Sequence, residues 1–410
     1  MLQKLLDLVE AELRLDQDEF ADCVHGSALE HLDVAQLQKI KRRAAGWIAG
    51  LQILSLVALR KSNAKRPMDG CVRYICDRRT LGCIKPKIRN SVYPSGVAEH
   101  RFIPTRYYNT IGSHEPAFSI DSGDTVVIST LDAWGQDEEV RHAASEPNPM
   151  SGPIYVRGAE RGDTLAVHID RITPNRRMGW VRTPLAYNVV DPDYVREIPV
   201  RSTALGHFDV DMNAGTVTLT TPNPRIGGLV LPARPMIGCF GVAPDGGEAI
   251  STATSGPYGG NMDYNGFTAG VTVYFPVFAD GALFHLGDVH ARQGDGEISG
   301  TGIEISAEVA FTATVIRGKA IGTVRGEDET HIFTVGNARP LDQAVQHATT
   351  EMARWLAADY GLDGHAIGVL MGQCVRYDLG NIFDPAYTMV CRMPKAVLSK
   401  IAGAESPGSG

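Results

Sequence analysis

The sequence predicts an α+β fold dominated by strands, with a β-sandwich-like body, helices placed late and a helical N-terminal extension. Short Val/Ile/Thr runs alternate with turns through the middle of the chain. The 410 residues include 44 glycines and 23 prolines, which are the residues that tight turns use. Apolar residues at helical spacing occur mainly towards the two ends of the chain.

We expect three segments along the chain. Residues 1–90 form a helical, basic extension, with apolar residues at helical spacing from Leu2 and fourteen Lys/Arg against two Asp between Gln36 and Asn90. Residues 91–400 form the main domain, and residues 401–410 form a flexible tail. A start codon assigned too far upstream is an alternative explanation of the first segment.

The charge distribution and the cysteine content indicate which kinds of binding partner and which cellular compartment to expect. The net charge is -8, and the basic extension could bind nucleic acid, an anionic membrane or the acidic remainder of the protein. Aromatic residues are rare there, and the apolar stretch 44–59 is shorter than the roughly 20 residues of a membrane-spanning helix. We therefore expect neither a nucleic-acid nor a membrane partner. Seven widely spaced cysteines indicate a reducing, cytoplasmic location.

The elements of the main domain follow from residue patterns in chain order. Alternating apolar residues around glycine-containing turns predict strands. These strands lie within 118–133, 152–172, 210–219, 269–293 and 302–318. Helical spacing then predicts a helix over 341–360 that Gly361 ends, followed by a second helix within 363–379 and a closing strand within 384–398.

The stretch HLGDVHARQGDGEISGTGIE, residues 285–304, concentrates acids, histidine and glycine. If a strand ends near Ala291, Asp288 and His290 point to one face and could bind one metal ion. The intervening glycines would let the chain turn back and bring Asp295 and Glu297 to that face. A polar hairpin with solvated acids is the competing interpretation.

Two further stretches offer candidate residues. SGPYGGNMDYNG, residues 255–266, combines glycines that permit close backbone approach to a ligand with Asn261 and Asp263, although an ordinary loop has the same composition. Asp132 follows an apolar strand in STLDAWG, where capping of a turn is the simpler explanation. The sequence contains no Gly-x-Ser-x-Gly, phosphate-loop or dinucleotide-binding pattern.

Six stretches, taken in order, resemble the acetamidase/formamidase family. They are DSGDTVVISTLDA, NPMSGPIYVRGAERGDTLAVHI, PMIGCFGVAP, SGPYGGNMD, LFHLGDVHARQGDGEISGTGIE and DPAYTMVCRMPKAVL. The resemblance implies a homo-oligomeric, cytoplasmic hydrolase that cleaves a small linear amide to a carboxylate and ammonia, with zinc in the sites of some relatives. Residues 1–90 and 137–148 do not resemble the family, which leaves the size of the substrate pocket open.

The resemblance also implies roles for individual residues. The implied metal ligands are Asp132, Asp263, Asp288 and His290. Glu297 is the implied general acid/base, and Asp295 is a second catalytic candidate. Backbone N–H groups of Gly259, Gly260 and Asn261 would bind the substrate oxyanion. Hydrolysis of a cyclic amide (lactam) in the same site and a non-catalytic, oligomeric amide-binding protein are the alternatives.

Overall fold

The computed structural model describes residues 89–92, 98–198 and 205–401, with the backbone alone for 89–92. The predicted extension up to residue 88 and the predicted tail from residue 402 lie outside these ranges. None of the helices within them combines the length and the apolarity needed to cross a bilayer.

Strands make up most of the described secondary structure. The first are β1 (Arg89–Val92), β2 (Ala98–Phe102), β3 (Thr110–Gly112), β4 (Phe118–Ile120), β5 (Thr125–Thr130), β6 (Ser151–Val156), β7 (Thr164–Pro174), β8 (Met178–Arg182), β9 (Leu205–Asp211), β10 (Thr216–Leu219) and β11 (Val230–Pro232). Next come β12 (Met236–Gly241), β13 (Ala249–Ser251), β14 (Ser255–Gly256), β15 (Gly259–Asn261), β16 (Thr272–Pro276), β17 (Phe284–His290), β18 (Glu304–Ile305), β19 (Ala307–Ile316), β20 (Arg325–Glu327), β21 (His331–Ala338), β22 (Arg376–Asn381) and β23 (Tyr387–Pro394). The helices are α1 (Leu341–Tyr360), α2 (Gly364–Cys374) and α3 (Lys395–Leu398).

Two large sheets share one hydrophobic core. The ten-stranded sheet has the order β1-β2-β5-β19-β7-β16-β20-β21-β23-β22. The eleven-stranded sheet has the order β11-β10-β9-β8-β18-β17-β12-β15-β14, with β6 beside β17 and β4 beside β6. Phe284 of β17 packs against Phe311 of β19 with ring centroids 5.2 Å apart, so buried side chains of both sheets meet. This confirms the predicted strand-dominated α+β body with late helices.

Helix α1 packs against β21 and β23 of the ten-stranded sheet. Its buried apolar residues recur at helical spacing and include Ala344, Ala348, Met352 and Leu356. Gly336 of β21 permits the close approach, because a Cβ atom there would lie 2.0 Å from the carbonyl oxygen of Ala344. The helix ends at Gly361 in the left-handed conformation (φ 63°), as the sequence predicted.

The single strand predicted within 302–318 is wrong, because the chain changes sheets at Ser306. Strand β18 pairs with β17 in the eleven-stranded sheet, whereas β19 pairs with β5 and β7 in the ten-stranded sheet. The Ser306 hydroxyl donates to Asn175 Oδ1 at 2.6 Å at this corner. Apolar alternation continues through the corner because both sheets face the same core. The corner leaves Glu304 beside the end of β17.

Strand β17 also carries a buried histidine with a consequence for stability. His285 Nε2 donates to the carbonyl oxygen of Gly112 at 3.1 Å, and burial lowers the pKa of His285 to about 3. Below about pH 6.5, His285 becomes protonated in the unfolded chain but stays neutral in the folded chain. His285 therefore contributes a loss of about 1.4 kcal/mol in the free energy of unfolding per pH unit as the pH is lowered from about 6.5 towards 4.

Urea unfolding between about pH 4 and pH 7 measures this dependence, with wild type compared with His285→Gln, which keeps an N–H donor. Relative to wild type, the free energy of unfolding of the His285→Gln protein should rise as the pH is lowered through this range. His142→Gln changes an exposed histidine and serves as the control. Equal slopes for wild type and His285→Gln would show that His285 does not contribute.

Candidate active site

Strand β17 places two candidate ligands at the middle of the eleven-stranded sheet. All seven of its residues are buried, and it lies between β18 and β12. Asp288 and His290 point into one cluster, where His290 Nε2 lies 3.4 Å from Asp288 Oδ1. The predicted same-face arrangement of these two residues is therefore present in the structure.

Glu304 completes a first group around His290. Strand β18 pairs His290 with Glu304 across the sheet, and Glu304 Oε1 lies 3.1 Å from His290 Nε2. Asp288 Oδ1 and Glu304 Oε2 are buried and have no hydrogen-bond partner among the described residues. Two carboxylates and one imidazole thus lie close together, and each carboxylate has a buried oxygen that accepts no hydrogen bond within the described part of the chain.

Asp263 and Glu297 form a second group with the same histidine. Asp263 follows β15 and is fully buried, with Oδ1 lying 4.0 Å from His290 Nε2. Asp263 Oδ1 also lacks a hydrogen-bond partner among the described residues. Glu297 is 6% exposed and lies in the turn after β17. The glycine-rich turn therefore brings Glu297 back to the cluster, as predicted.

Asn381 and Asp384 belong to the cluster although the sequence did not single them out. Asn381 Nδ2 lies within hydrogen-bond distance of Asp263 (2.8 Å), Glu297 (2.9 Å) and Asp384 (2.8 Å). Asn381 Oδ1 accepts from the backbone N–H groups of Phe383 and Asp384, which fixes the amide orientation. An amide nitrogen has two protons, so it cannot satisfy three carboxylates at once. The cluster therefore contains fewer hydrogen-bond donors than its carboxylates need.

Two further asparagines support the acids from the other side. Asn148 Nδ2 lies 3.2 Å from Asp288 Oδ2 and 2.8 Å from Asn261 Oδ1. Asn261 Nδ2 in turn donates to Asp384 Oδ2 at 2.6 Å. Of these, the sequence predicted only Asn261, as a substrate-binding residue. Asn148 lies in the family-like stretch that begins NPMSG, but nothing local marks its side chain as part of a site.

Burial dominates the protonation of the cluster. It raises the pKa of Asp263 to about 7, with a further contribution from the charge of Asp288. It raises the pKa of Glu304 to about 7 as well, against the opposing charge of His290. Burial and neighbouring acids hold the pKa values of Glu297 and Asp384 well above their usual range. Burial alone would lower the pKa of His290, but Glu304 and Asp288 outweigh it and raise that pKa.

The donor set fits a divalent cation. Asp288, His290 and Glu304 form one group whose ligand atoms lie within 4.8 Å of one another, and Asp263, His290 and Glu297 form another. Imidazole nitrogens and carboxylate oxygens are both ligand types that zinc binds. Gly238 keeps the space open, because a Cβ atom there would lie 2.5 Å from Asp263 Oδ1 and 2.8 Å from Asp288 Oδ2.

The backbone of the cluster is strained. Four of its non-glycine residues have left-handed conformations: Asn148 (φ 41°), Asp263 (φ 42°), Asp288 (φ 53°) and Glu297 (φ 47°). Such residues cost roughly 1–3 kcal/mol each and occur preferentially at functional sites. The concentration of strain at these four residues indicates that their placement serves the site rather than the stability of the fold.

A cavity of about 250 Å³ adjoins the cluster. Its acidic lining consists of Glu146, Asp288, Glu297, Glu304 and Asp384. Its aromatic lining consists of Trp134, Trp180 and Phe383, with the two indole rings stacked at a centroid distance of 3.8 Å. Small cavities that combine apolar walls with a few convergent polar groups are typical of sites for small molecules.

Asp132 has a different set of contacts from the one implied for it. Both oxygens are occupied: Oδ2 binds Arg176 Nη2 at 2.5 Å and Trp180 Nε1 at 2.9 Å. Oδ1 accepts from the backbone N–H groups of Trp134 and Gln136. Asp132 lies in neither group that could hold a cation. These contacts position the wall of the cavity through Trp180.

Of the remaining predicted site residues, one lines the cavity and the others lie away from it. Asp295 is exposed and accepts a hydrogen bond from Asn265 at 2.7 Å. Gly259 and Gly260 pair with β12 inside the sheet, away from the cavity lining. The side chain of Asn261 lines the cavity, but its backbone N–H donates to the carbonyl oxygen of Thr254. That N–H is therefore not free to bind an oxyanion.

Residues 236–349 match the family model described as the Acetamidase/Formamidase family. An acetamidase of Mycolicibacterium smegmatis is 30% identical over 47% of this chain and 59% of that protein. A relative from Schizosaccharomyces pombe is 27% identical over 49% of this chain and 62% of that protein. The chain thus spans about three fifths of the length of these two curated relatives.

Solved structures extend the match over most of the main domain. The structure of an acetamidase from Bacillus halodurans is 32% identical, with a TM-score of 0.64, and the match covers 74% of this chain and 99% of that one. An acetamidase from Yersinia enterocolitica is 29% identical, with a TM-score of 0.65, over 74% of this chain and 94% of that one. Fold and site thus define a strand-rich protein with a buried acid–histidine cluster. The chain belongs to the acetamidase/formamidase family.

Proposed function

We propose that the protein hydrolyses a small linear amide, of the formamide or acetamide class, to a carboxylate and ammonia. The observation that supports this most is the buried cluster of His290 with Asp263, Asp288, Glu297 and Glu304 beside a cavity of about 250 Å³. The family of the chain agrees with amide hydrolysis. The reaction needs activated water, a proton donor for the leaving nitrogen and a place for a small substrate.

Asp288, His290 and Glu304 are the ligands we propose for a divalent cation, with zinc as the first choice. When bound, such a cation would polarise the amide carbonyl and lower the pKa of water. Asp263 is the nearest further carboxylate, because its Oδ1 lies 4.0 Å from His290 Nε2. We leave Asp132 out of the ligand set, since Arg176 and Trp180 already bind its Oδ2.

Glu297 is the proposed general acid/base. It lines the cavity, and burial raises the pKa of its carboxyl, as is frequent for catalytic acids and bases. Asn381 Nδ2 holds Glu297 Oε2 at 2.9 Å. Glu297 takes a proton from the attacking water and returns it to the leaving nitrogen. Trp134 and Phe383 form the aromatic wall against which the acyl side of the substrate would pack.

The metal requirement gives the primary test. We expect about one zinc ion per chain and ammonia release from formamide, acetamide or propionamide. Activity should fall to background after chelation and should return when zinc is added, because the cation supplies the electrophile. Atomic absorption and a coupled ammonia assay measure the two quantities. Full activity in metal-free protein would refute the cation, and zinc binding without ammonia release from any amide would refute the reaction.

We also propose that the protein is a cytoplasmic homo-oligomer. The described cysteines Cys239, Cys374 and Cys391 are free thiols, which agrees with a reducing compartment. Static light scattering of the full-length chain tests the assembly, and a monomer mass of 44.2 kDa would refute it.

A further inference from the structure

His290 is held from its far side by a glutamine to which neither the sequence patterns nor the comparisons assign a role. His290 Nδ1 lies 2.8 Å from Gln293 Oε1. Gln293 Nε2 lies 2.6 Å from the carbonyl oxygen of Asp263 and 3.3 Å from that of Gly380. The glutamine and the histidine are both buried, at 7% and 1% exposure, so water does not compete for these bonds.

The partners of Gln293 fix the orientation of its amide. Carbonyl oxygens only accept hydrogen bonds, so the amide NH₂ must face Asp263 and Gly380. Gln293 Oε1 then faces His290 and can only accept, which requires a proton on His290 Nδ1. Nε2 is therefore the ring nitrogen that remains able to give up its proton and bind a cation.

We propose that Gln293 is a positioning residue that fixes the Nδ1–H form of His290 and aims Nε2 at Asp288 and Glu304. The inference rests on the proposed metal site. Ligand histidines in metal sites depend on such a partner for tautomer and ring orientation, and its loss weakens metal binding by about 10- to 100-fold. Gly302 leaves room for the ring in this orientation, because a Cβ atom there would lie 2.4 Å from His290 Nδ1.

Gln293 also joins separate parts of the chain. It follows β17, whereas Asp263 follows β15 and Gly380 lies in β22. Its bond to the carbonyl oxygen of Asp263 holds a residue whose backbone is left-handed (φ 42°). One amide thus sets the histidine and restrains a neighbouring acid of the cluster.

Zinc affinity of the full-length protein tests this role, with competition against a chromophoric chelator as the measurement. Gln293→Met keeps the length of the side chain but makes no hydrogen bond to Nδ1, so the zinc dissociation constant should rise about 10- to 100-fold. Gln293→Glu keeps the acceptor and should bind zinc more tightly than Gln293→Met. Gln136→Met removes a glutamine that contacts His142 at 3.3 Å on the exposed loop, and it should leave zinc affinity unchanged.

A second readout separates tautomer control from general loss of structure. In zinc-loaded protein labelled with ¹⁵N-histidine, His290 should show a slowly exchanging ring N–H at Nδ1. The signal should persist in Gln293→Glu and be absent in folded Gln293→Met. Zinc affinity of Gln293→Met equal to wild type would overturn the proposal, as would loss of the Nδ1–H signal in folded Gln293→Glu.

The proposed reaction and the role of Gln293 can fail separately. Zinc affinity and the Nδ1–H signal, which test Gln293, are both measured without a substrate. A protein that binds zinc, loses affinity in Gln293→Met and hydrolyses no amide would refute the reaction alone. Wild-type protein that binds no zinc would overturn the metal site and the role of Gln293 together.

Discussion

Replacement of Glu297 by glutamine is expected to lower kcat by about 10²- to 10⁴-fold, with little change in KM. Glutamine has nearly the same shape and still offers an oxygen to Asn381 Nδ2, which now donates to Glu297 at 2.9 Å. It cannot carry a proton from water to the leaving nitrogen. Steady-state ammonia release from acetamide measures the effect, and zinc content should remain at the wild-type value.

Two comparisons interpret that result. Glu329→Gln removes an exposed carboxylate of the same type and should retain wild-type kcat. Asp295→Asn decides between the two carboxylates that the sequence offered, and its exposed position beside Asn265 predicts retained activity. A Glu297→Gln enzyme with undiminished kcat would exclude Glu297 as the acid/base.

Replacement of Arg176 by methionine is expected to lower the free energy of unfolding by about 3–5 kcal/mol. The side chain of Arg176 is 3% exposed and binds Asp132, which is 0% exposed. Arg176 also donates to the carbonyl oxygens of Met178 and Asp137. Methionine would leave the carboxylate of Asp132 buried without its cation and those carbonyls without their donors. Urea unfolding measures the loss.

The neighbouring arginine supplies a matched control. Arg177 pairs with Asp209, but its side chain is 67% exposed. Arg177→Met should therefore change the free energy of unfolding far less than Arg176→Met does. A double variant, Arg176→Met with Asp132→Leu, removes both charges and should recover part of the loss. Equal destabilisation by the two single variants would contradict the assigned role of burial.

The strand-rich body and the Asp288–His290 pair could be predicted because both depend on local periodicity. Residues two apart on a strand face one way wherever that strand lies. The corner at Ser306 could not be predicted, since apolar residues alternate with polar ones in the sequence on both sides of the sheet change. That corner decides that Glu304 lies beside His290.

The missed residues reach the site through long-range contacts. Asn381 is 118 residues away from Asp263, and Asn148 is 140 residues away from Asp288. Their local sequences contain no catalytic pattern, because asparagine is equally common in ordinary turns. Asp132 is a residue that the sequence pointed to but that contacts something else. An aspartate after a strand has the same local sequence whether it faces a metal ion or an arginine, and Asp132 binds an arginine 44 residues away.

Left-handed backbone conformations mean that fold stability and function favour different residues at four positions, which are Asn148, Asp263, Asp288 and Glu297. Glycine adopts such dihedral angles without steric conflict, so it would relieve the local backbone strain at each position. It would also remove the side chain that the cluster uses. Selection for a more stable fold alone would therefore favour glycine here and erode the site, so the four non-glycine residues indicate a constraint other than folding.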